Sequence, residues 1–338
     1  MLIFPSAFSL LAIAAAGYYG HVSGIGIGPA ILTCMLLGVL ELALSVDNAV
    51  VNAKVLEGMS PFWQKLFLTL GIFIAVFVMR FFLPLAIVAV AADLSIVQVG
   101  SMALYDQKAY AAALLACHFP ISAFGGAFLG LVFLDFILDT DRDVSWTRFD
   151  SVVAAKLGRV PSMAVLLMLC AVLALAHFAP PIEAARTLTA GIAGVITYLA
   201  VKGLGHAFES DGAAAAVGRA GFMGFLYLEV LDASFSLDGV IGAFAVTRDV
   251  VIIMLGLGIG AVFVRGLTLM MVEYKTLKTY IYLEHGAHYA IGALTAITFI
   301  APFYHLPEWM VALFSAVFIV LALMSSVRSN RIGATDQS

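Results

Sequence analysis

The chain has 338 residues, of which 63% are hydrophobic and only 11% charged, and its mean hydropathy is +1.08. A soluble domain carries roughly twice that charged fraction, so the composition excludes an ordinary soluble protein and indicates a multi-pass membrane protein. The formal net charge of −4 argues against a nucleic-acid partner, and three scattered cysteines indicate neither a disulfide framework nor a thiolate metal site.

Apolar runs of about 20 residues have the length needed to cross a bilayer as a helix. No Lys or Arg precedes the first run, as it would in a signal peptide, so we expect this run to be a retained span. We therefore predict an all-α polytopic fold with about ten spans, which are 2–20, 29–52, 63–90, 109–138, 162–180, 185–204, 219–245, 250–272, 287–303 and 308–327.

The basic residues between these spans are distributed unevenly. Twelve fall on the side that holds both termini, and three fall on the other side (Lys108, Arg186 and Arg248). Because cytoplasmic loops are enriched in Lys and Arg, we expect both termini to lie in the cytoplasm. We expect the membrane to be a bacterial inner or plasma membrane.

The second predicted span contains an unusually polar stretch, ELALSVDNAVV, which runs from Glu41 to Val51. The seventh span contains a related stretch, EVLDASFSLDGVIGA, at 229–243. When SVDN is aligned with SLDG, Glu41 falls opposite Asp232. Each copy is followed in the next span by AVFV and then by an intramembrane arginine, Arg80 or Arg265.

The two copies lie five spans apart and would therefore cross the membrane in opposite directions. This arrangement predicts a five-plus-five inverted repeat, with residues 1–181 and 182–338 as its halves. Inverted repeats are typical of secondary transporters, whose ion sites lie near the membrane midplane between the halves.

Charged side chains at that depth are costly and usually mark an ion pathway. A regular helix would point Asp47 and Asp238 away from the other polar residues of their motifs. We therefore predict broken helices at Ser45–Asn48 and Ser236–Gly239, with backbone carbonyls freed to bind a cation. The predicted metal ligands are Glu41, Ser45, Asp47, Asn48, Glu229, Asp232, Ser236 and Asp238, with Arg80 and Arg265 as counter-charges. Such hard oxygen donors suit Mn²⁺, Mg²⁺ or Ca²⁺.

These motifs, their arginines and the stretch YLEHGAHYAIGAL at 282–294 resemble the TerC family, integral membrane proteins named for tellurium resistance and grouped with LysE-type transporters. The chain is longer than the usual TerC protein and is similar to a longer TerC-like branch. The resemblance implies metal-ion transport, with manganese export favoured, and it carries over to Glu41, Asp47, Asn48, Asp232 and Asp238. Glu229 is an additional carboxylate, and Gly239 stands where the first copy has an amide.

Other polar residues allow either a structural or a functional interpretation. Asp135 and His118 both lie in the fourth span, where Asp135 would suit an ion path and His118 a proton relay. Glu284, His285 and His288 begin the ninth span with ligand-compatible spacing, although hydrogen bonding at the membrane surface is the default interpretation. The paired acids and arginines could also hold helices together without any transport role.

Three functions stay open at this stage. The first is a secondary transporter of a divalent cation, driven by protons, Na⁺ or the membrane potential. The second is an intramembrane hydrolase that uses two aspartates, such as Asp47 and Asp238. The third is a partner that assembles other membrane proteins without transporting anything. We expect no enzymatic activity. The expected partners are the lipid bilayer, a metal ion and a coupling ion. A homodimer is compatible with the sequence, but the sequence does not indicate one.

Overall fold

The computed structural model describes the backbone of residues 3–335 apart from 93, 143, 161, 208–212 and 305. Within its helices, the side chains of 91–92, 204–207, 213–220, 237–238, 245, 308 and 332–335 lie outside the description. The described residues form helices and connecting turns without any β-strand. The α-helices are α1 (Ile3–Val22), α2 (Ile27–Leu44), α3 (Val46–Glu57), α4 (Pro61–Phe73), α5 (Leu83–Ala92), α6 (Ile96–Tyr105), α7 (Gln107–Ala116), α8 (His118–Leu138), α9 (Arg148–Leu157), α10 (Met163–Phe178), α11 (Pro181–Ala207), α12 (Ala213–Val246), α13 (Val250–Glu273), α14 (Thr276–Thr279), α15 (Leu283–Ile300) and α16 (Glu308–Thr335).

Seven helical segments among the described residues are long and apolar enough to cross a membrane. They are Ile3–Val22, Ile27–Leu44, Pro61–Val90, His118–Leu138, Pro181–Gly203, Val250–Glu273 and Trp309–Arg331. The chain is thus a helical integral membrane protein, as its composition predicts. Helices α10, α12 and α15 cover the remaining three predicted spans, and the total of ten crossings stays a prediction.

Helices α8 and α13 form the centre of the bundle. In each of them 72% of the most apolar stretch is buried by protein, against 28–39% in the other candidate spans. Helix α13 packs against α1, α2 and α3, and α8 packs against α10, α11 and α15. The acidic motifs, on α2–α3 and α12, adjoin these central helices, so protein rather than lipid surrounds their polar side chains.

The predicted interruption of the first motif is present, but it is confined to a single residue. Helix α2 ends at Leu44 and α3 begins at Val46, and Ser45 lies between them with φ −111° and ψ 17°. The Ser45 N–H still reaches the carbonyl of Glu41 at 3.1 Å, and its carbonyl still accepts from Ala49 at 3.1 Å. The prediction of freed carbonyls is therefore wrong for Glu41 and Ser45, because both of these carbonyls accept a backbone hydrogen bond.

The predicted break at Ser236–Gly239 is also wrong, because α12 runs through the second motif without interruption. The acids Glu229 and Asp232 meet partners from neighbouring helices while they remain on one face of a regular helix. Unwinding is therefore not needed to compensate their charge. The distortion that the sequence did not predict lies elsewhere, in a π-helical segment from Ile74 to Phe82 that joins α4 to α5 and carries Arg80. Wide π-helical turns of this kind are frequent at functional sites.

Candidate functional site

The two acidic motifs are in direct contact. Asn48 on α3 donates a hydrogen bond from Nδ2 to Oδ1 of Asp232 on α12 at 2.9 Å, although the two residues are 184 positions apart. In a second approach of the two motifs, Gly239 lies beside the Glu41 carboxylate, since a Cβ at that glycine would lie 3.0 Å from Glu41 Oε2. A side chain in place of Gly239 would therefore crowd the Glu41 carboxylate.

Glu41 forms the first of two buried ion pairs. Its carboxylate pairs with Arg80, and the two residues are only 3% and 7% exposed. Ser45 Oγ also donates to Glu41 Oε1 at 3.2 Å, and Arg80 Nη1 donates to the Ala75 carbonyl at 2.6 Å. The kink and the π-helical segment thus meet at one fully enclosed carboxylate.

Arg265 on α13 forms the second ion pair, and it holds two acids at once. Its Nη2 reaches Glu229 Oε1 at 3.1 Å and Asp232 Oδ2 at 2.5 Å. Nη1 donates to the Phe67 carbonyl at 2.9 Å, and the guanidinium lies 3.9 Å from the centre of the Phe67 ring. A cation over an aromatic face is attracted to it, so Arg265 is held by charge, hydrogen bonds and the ring together.

A small cavity lies between these two ion pairs. Its volume is about 10 Å³, enough for roughly one water molecule. Two of its polar atoms, Asn48 Oδ1 and Ser236 Oγ, are buried and have no hydrogen-bond partner among the described residues. The cavity is lined by Glu41, Ser45, Asn48, Ala75, Arg80, Asp232, Phe235, Ser236, Ala261, Val264 and Arg265.

The structure therefore brings together five of the eight predicted ligands, namely Glu41, Ser45, Asn48, Asp232 and Ser236, with both arginines. Two others do not line the cavity. Glu229 pairs with Arg265, and its Oε2 has no hydrogen-bond partner in the described structure. Asp47 is completely buried, and within the described part of the chain neither of its carboxylate oxygens has a hydrogen-bond partner. Because α3 is regular beyond Ser45, Asp47 lies about 100° around the helix from Asn48.

The eighth predicted ligand, Asp238, has a side chain outside the described residues. Among the described side chains, no group of three or more His, Cys, Asp and Glu is arranged to hold a metal ion. Arg80 pairs instead with Glu41, and Arg265 pairs with Glu229 and Asp232. The free-energy cost of removing two opposite charges from water is compensated only when the charges pair closely, as both arginines do with their acids.

Sequence reasoning missed one polar residue of this site, Asn52. It is 0% exposed, and its Nδ2 donates to Asp232 Oδ1 at 3.0 Å, the same atom that Asn48 contacts. The signal was available, because Asn52 lies one helical turn after Asn48 and so shares its face. Sequence reasoning also missed Gly260, whose close approach to Glu41 is visible only in the structure.

The other candidate residues from the sequence do not line the cavity. Asp135 pairs with Lys202 and accepts a hydrogen bond from Tyr198, and these three side chains line a separate open groove of about 640 Å³. His118 is the first residue of α8 and is half-buried.

The cluster at the start of α15 has local partners. Glu284 pairs with Lys54 at 2.7 Å, and His288 stacks on Phe136 with 3.7 Å between ring centres. His285 Nε2 lies 3.0 Å from the Val144 carbonyl. These contacts are an ion pair, a ring stack and a hydrogen bond, and they join α15 to α3, to α8 and to the segment before α9.

Next to this cluster, Asp150 on α9 connects its helix to α15. Its carboxylate accepts hydrogen bonds from the Thr147 hydroxyl, from Tyr289 Oη at 2.8 Å and from the Trp146 and Thr147 N–H groups. Burial raises the pKa of the Asp150 carboxyl, but these hydrogen bonds outweigh burial and hold the pKa below its usual range.

Comparison with known proteins gives a family without a described activity. No curated protein and no solved structure matches the chain. The sequence model of one family, described as "Protein of unknown function (DUF475)", matches residues 46–333. That range includes both arginines and the acidic residues of both motifs except Glu41. The chain therefore belongs to the DUF475 family.

Proposed function

We propose that this protein is a secondary transporter of a divalent metal cation, with Mn²⁺ as the favoured cargo and Ca²⁺ and Mg²⁺ as alternatives. The observation that carries the proposal is the hydrogen bond between Asn48 and Asp232, which joins the two acidic motifs at one buried cavity. Intramembrane ionisable residues that face the interior of a helix bundle mark substrate pathways in transporters.

The donor chemistry of the cavity supports a hard cation. Glu41, Asp232, Asn48, Ser45 and Ser236 offer carboxylate, amide and hydroxyl oxygens and no sulfur or imidazole. Oxygen ligands of this kind suit Mn²⁺, Mg²⁺ and Ca²⁺ better than Zn²⁺ or Cu⁺. In the present arrangement the arginines take the place of the cargo, so an entering cation has to displace at least one guanidinium.

The inverted repeat is part of this proposal. Each arginine pairs with an acid of its own copy, Arg80 with Glu41 and Arg265 with Asp232, and these two acids are the ones aligned in sequence. Ten crossings in two halves, with both termini in the cytoplasm, would let one half rock against the other around the cavity. Export as the direction of transport comes from the resemblance to the TerC family alone. A proton or Na⁺ gradient or the membrane potential would drive it.

The decisive experiment is uptake of Mn²⁺ into sealed proteoliposomes that contain the purified protein. We expect flux with the wild type and its loss in Asp232→Asn and Glu41→Gln, because each change removes a carboxylate from the cavity. Asp139→Asn is the matched control, since Asp139 is an exposed acid outside the cavity and its replacement should leave the flux unchanged.

Two other outcomes would overturn the proposal. Peptide cleavage in detergent without Mn²⁺ flux would indicate an aspartate-dependent hydrolase. Normal growth of cells that depend on an Asp232→Asn variant, again without flux in vitro, would indicate a partner in membrane-protein assembly.

A further inference from the structure

Asn48 and Asn52 form a pair of amides on one face of α3. Their Nδ2 atoms donate to the same atom, Asp232 Oδ1, at 2.9 and 3.0 Å. The other carboxylate oxygen of Asp232 is held by Arg265 at 2.5 Å. Asp232 thus accepts from three donors, two of which are neutral amides that a simple counter-charge would not require.

The oxygens of the same two amides are unsatisfied. Asn48 Oδ1 and Asn52 Oδ1 are both buried and accept no hydrogen bond among the described residues. A buried acceptor without a donor costs about 1–3 kcal/mol. The chain therefore keeps two costly oxygen atoms on side chains that contact the same carboxylate, and the described residues contribute no donor to them.

We propose that Asn52 is a further ligand of the transported cation, which binds at Asp232 Oδ1 with the amide oxygens of Asn48 and Asn52 beside it. This inference rests on the proposed function and adds a residue that neither the motif alignment nor the cavity lining includes.

At the two amides, the exchange of a donor for a ligand is a local movement. The last torsion of an asparagine side chain is broad and roughly two-fold, so half a turn replaces the N–H group by the oxygen. With Arg265 on Asp232 Oδ2, both amides present N–H groups to the acid. When a cation reaches Oδ1, both amides turn, so that their oxygens gain the cation as partner while their N–H groups leave Asp232.

This arrangement also explains how a hard divalent cation can bind where three acidic side chains do not converge. Amide oxygens are established ligands of Ca²⁺ and related hard cations. Two of them beside Asp232 extend the ligand set to three protein oxygens without adding negative charge to the membrane interior, where each unpaired charge is costly.

The test compares three variants of purified full-length protein by their affinity for Mn²⁺, measured by isothermal titration calorimetry, and by their thermal unfolding. Asn52→Leu removes both the donor and the oxygen and should weaken Mn²⁺ binding at least 10-fold. Asn52→Asp keeps an oxygen ligand and should bind Mn²⁺ within about 3-fold of the wild type or more tightly. Ser122→Ala, which alters a fully buried hydroxyl on α8, is the matched control and should bind as the wild type does.

The aspartate variant separates the ligand role from a structural one. If Asn52 served only to donate a hydrogen bond to Asp232, an aspartate there would repel Asp232 and weaken binding as much as leucine does. Either that result or unchanged binding in Asn52→Leu would overturn the role of Asn52. The proposed function would still stand in that case, because the wild type would still bind Mn²⁺. A wild type that binds none of Mn²⁺, Ca²⁺ and Mg²⁺ would overturn both.

Discussion

Gly260 of α13 lies so close to Glu41 of α2 that it leaves no room for a side chain. A Cβ at position 260 would approach Glu41 Cγ to 2.4 Å and the Gly38 carbonyl to 2.9 Å. The first ion pair therefore depends on a glycine contributed by the helix that carries the second arginine. The two ion pairs of the site are thus linked by the direct packing of α13 against α2.

Gly260→Ala should accordingly destabilise the protein by about 1–3 kcal/mol and abolish Mn²⁺ flux, because α2 or the Glu41 side chain must shift to admit the methyl group. Thermal unfolding in detergent and flux in proteoliposomes check the two effects. Gly100→Ala on α6 is the matched control, since a Cβ there meets nothing within 4 Å and alanine favours a helix. Equal behaviour of the two variants would contradict the close packing at Gly260.

Removal of Arg265 tests its role as counter-charge. Arg265→Leu leaves Glu229 and Asp232 without a cation in a buried site and should cost about 3–5 kcal/mol of stability. The double variant Arg265→Leu, Asp232→Asn should recover part of that loss, because it removes one of the uncompensated charges. Lys202→Met, which breaks the partly exposed pair with Asp135, should cost less than about 1 kcal/mol. No recovery in the double variant would show that Arg265 acts through packing on Phe67 instead.

Asp47 gives a test in which stability and activity change in opposite directions. Its carboxylate is fully buried and has no hydrogen-bond partner among the residues that the structure describes, so Asp47→Asn removes a poorly solvated charge at nearly constant shape. We expect a higher unfolding temperature together with reduced Mn²⁺ flux, since costly groups that a protein retains are found at functional sites. A variant with raised stability and full flux would assign Asp47 to the scaffold.

Asp150 predicts how the contact between α9 and α15 responds to acid. Its pKa is depressed in the folded protein, so its contribution to stability is present above the unfolded value of about 3.9 and is lost as pH falls through the lower folded value. Asp150→Asn should lower the unfolding temperature by a constant amount between pH 7 and 5. The difference from the wild type should shrink below about pH 4. A difference that grows on acidification would contradict the hydrogen-bonded carboxylate.

How far the sequence reached can be judged from particular residues. The spacing of Glu41, Ser45 and Asn48 on one helical face was readable, and these three residues do line the cavity. Their proximity to Arg80 followed from the repeated order of acid and arginine. The straight course of α12 through the second motif did not follow, because whether a helix unwinds depends on partners that other helices supply to its polar side chains.

The sequence by itself determined that this is a helical membrane protein with two related acidic stretches. Apolar run length and helical periodicity are local properties, and each can be read from about 20 consecutive residues. Only the tertiary structure decided which polar atoms meet: Asn48 and Asn52 reach Asp232 across 184 and 180 positions, and Arg265 reaches the Phe67 carbonyl across 198. Contacts of that range depend on how whole helices pack, and so on many side chains at once, which is why no local pattern contained them.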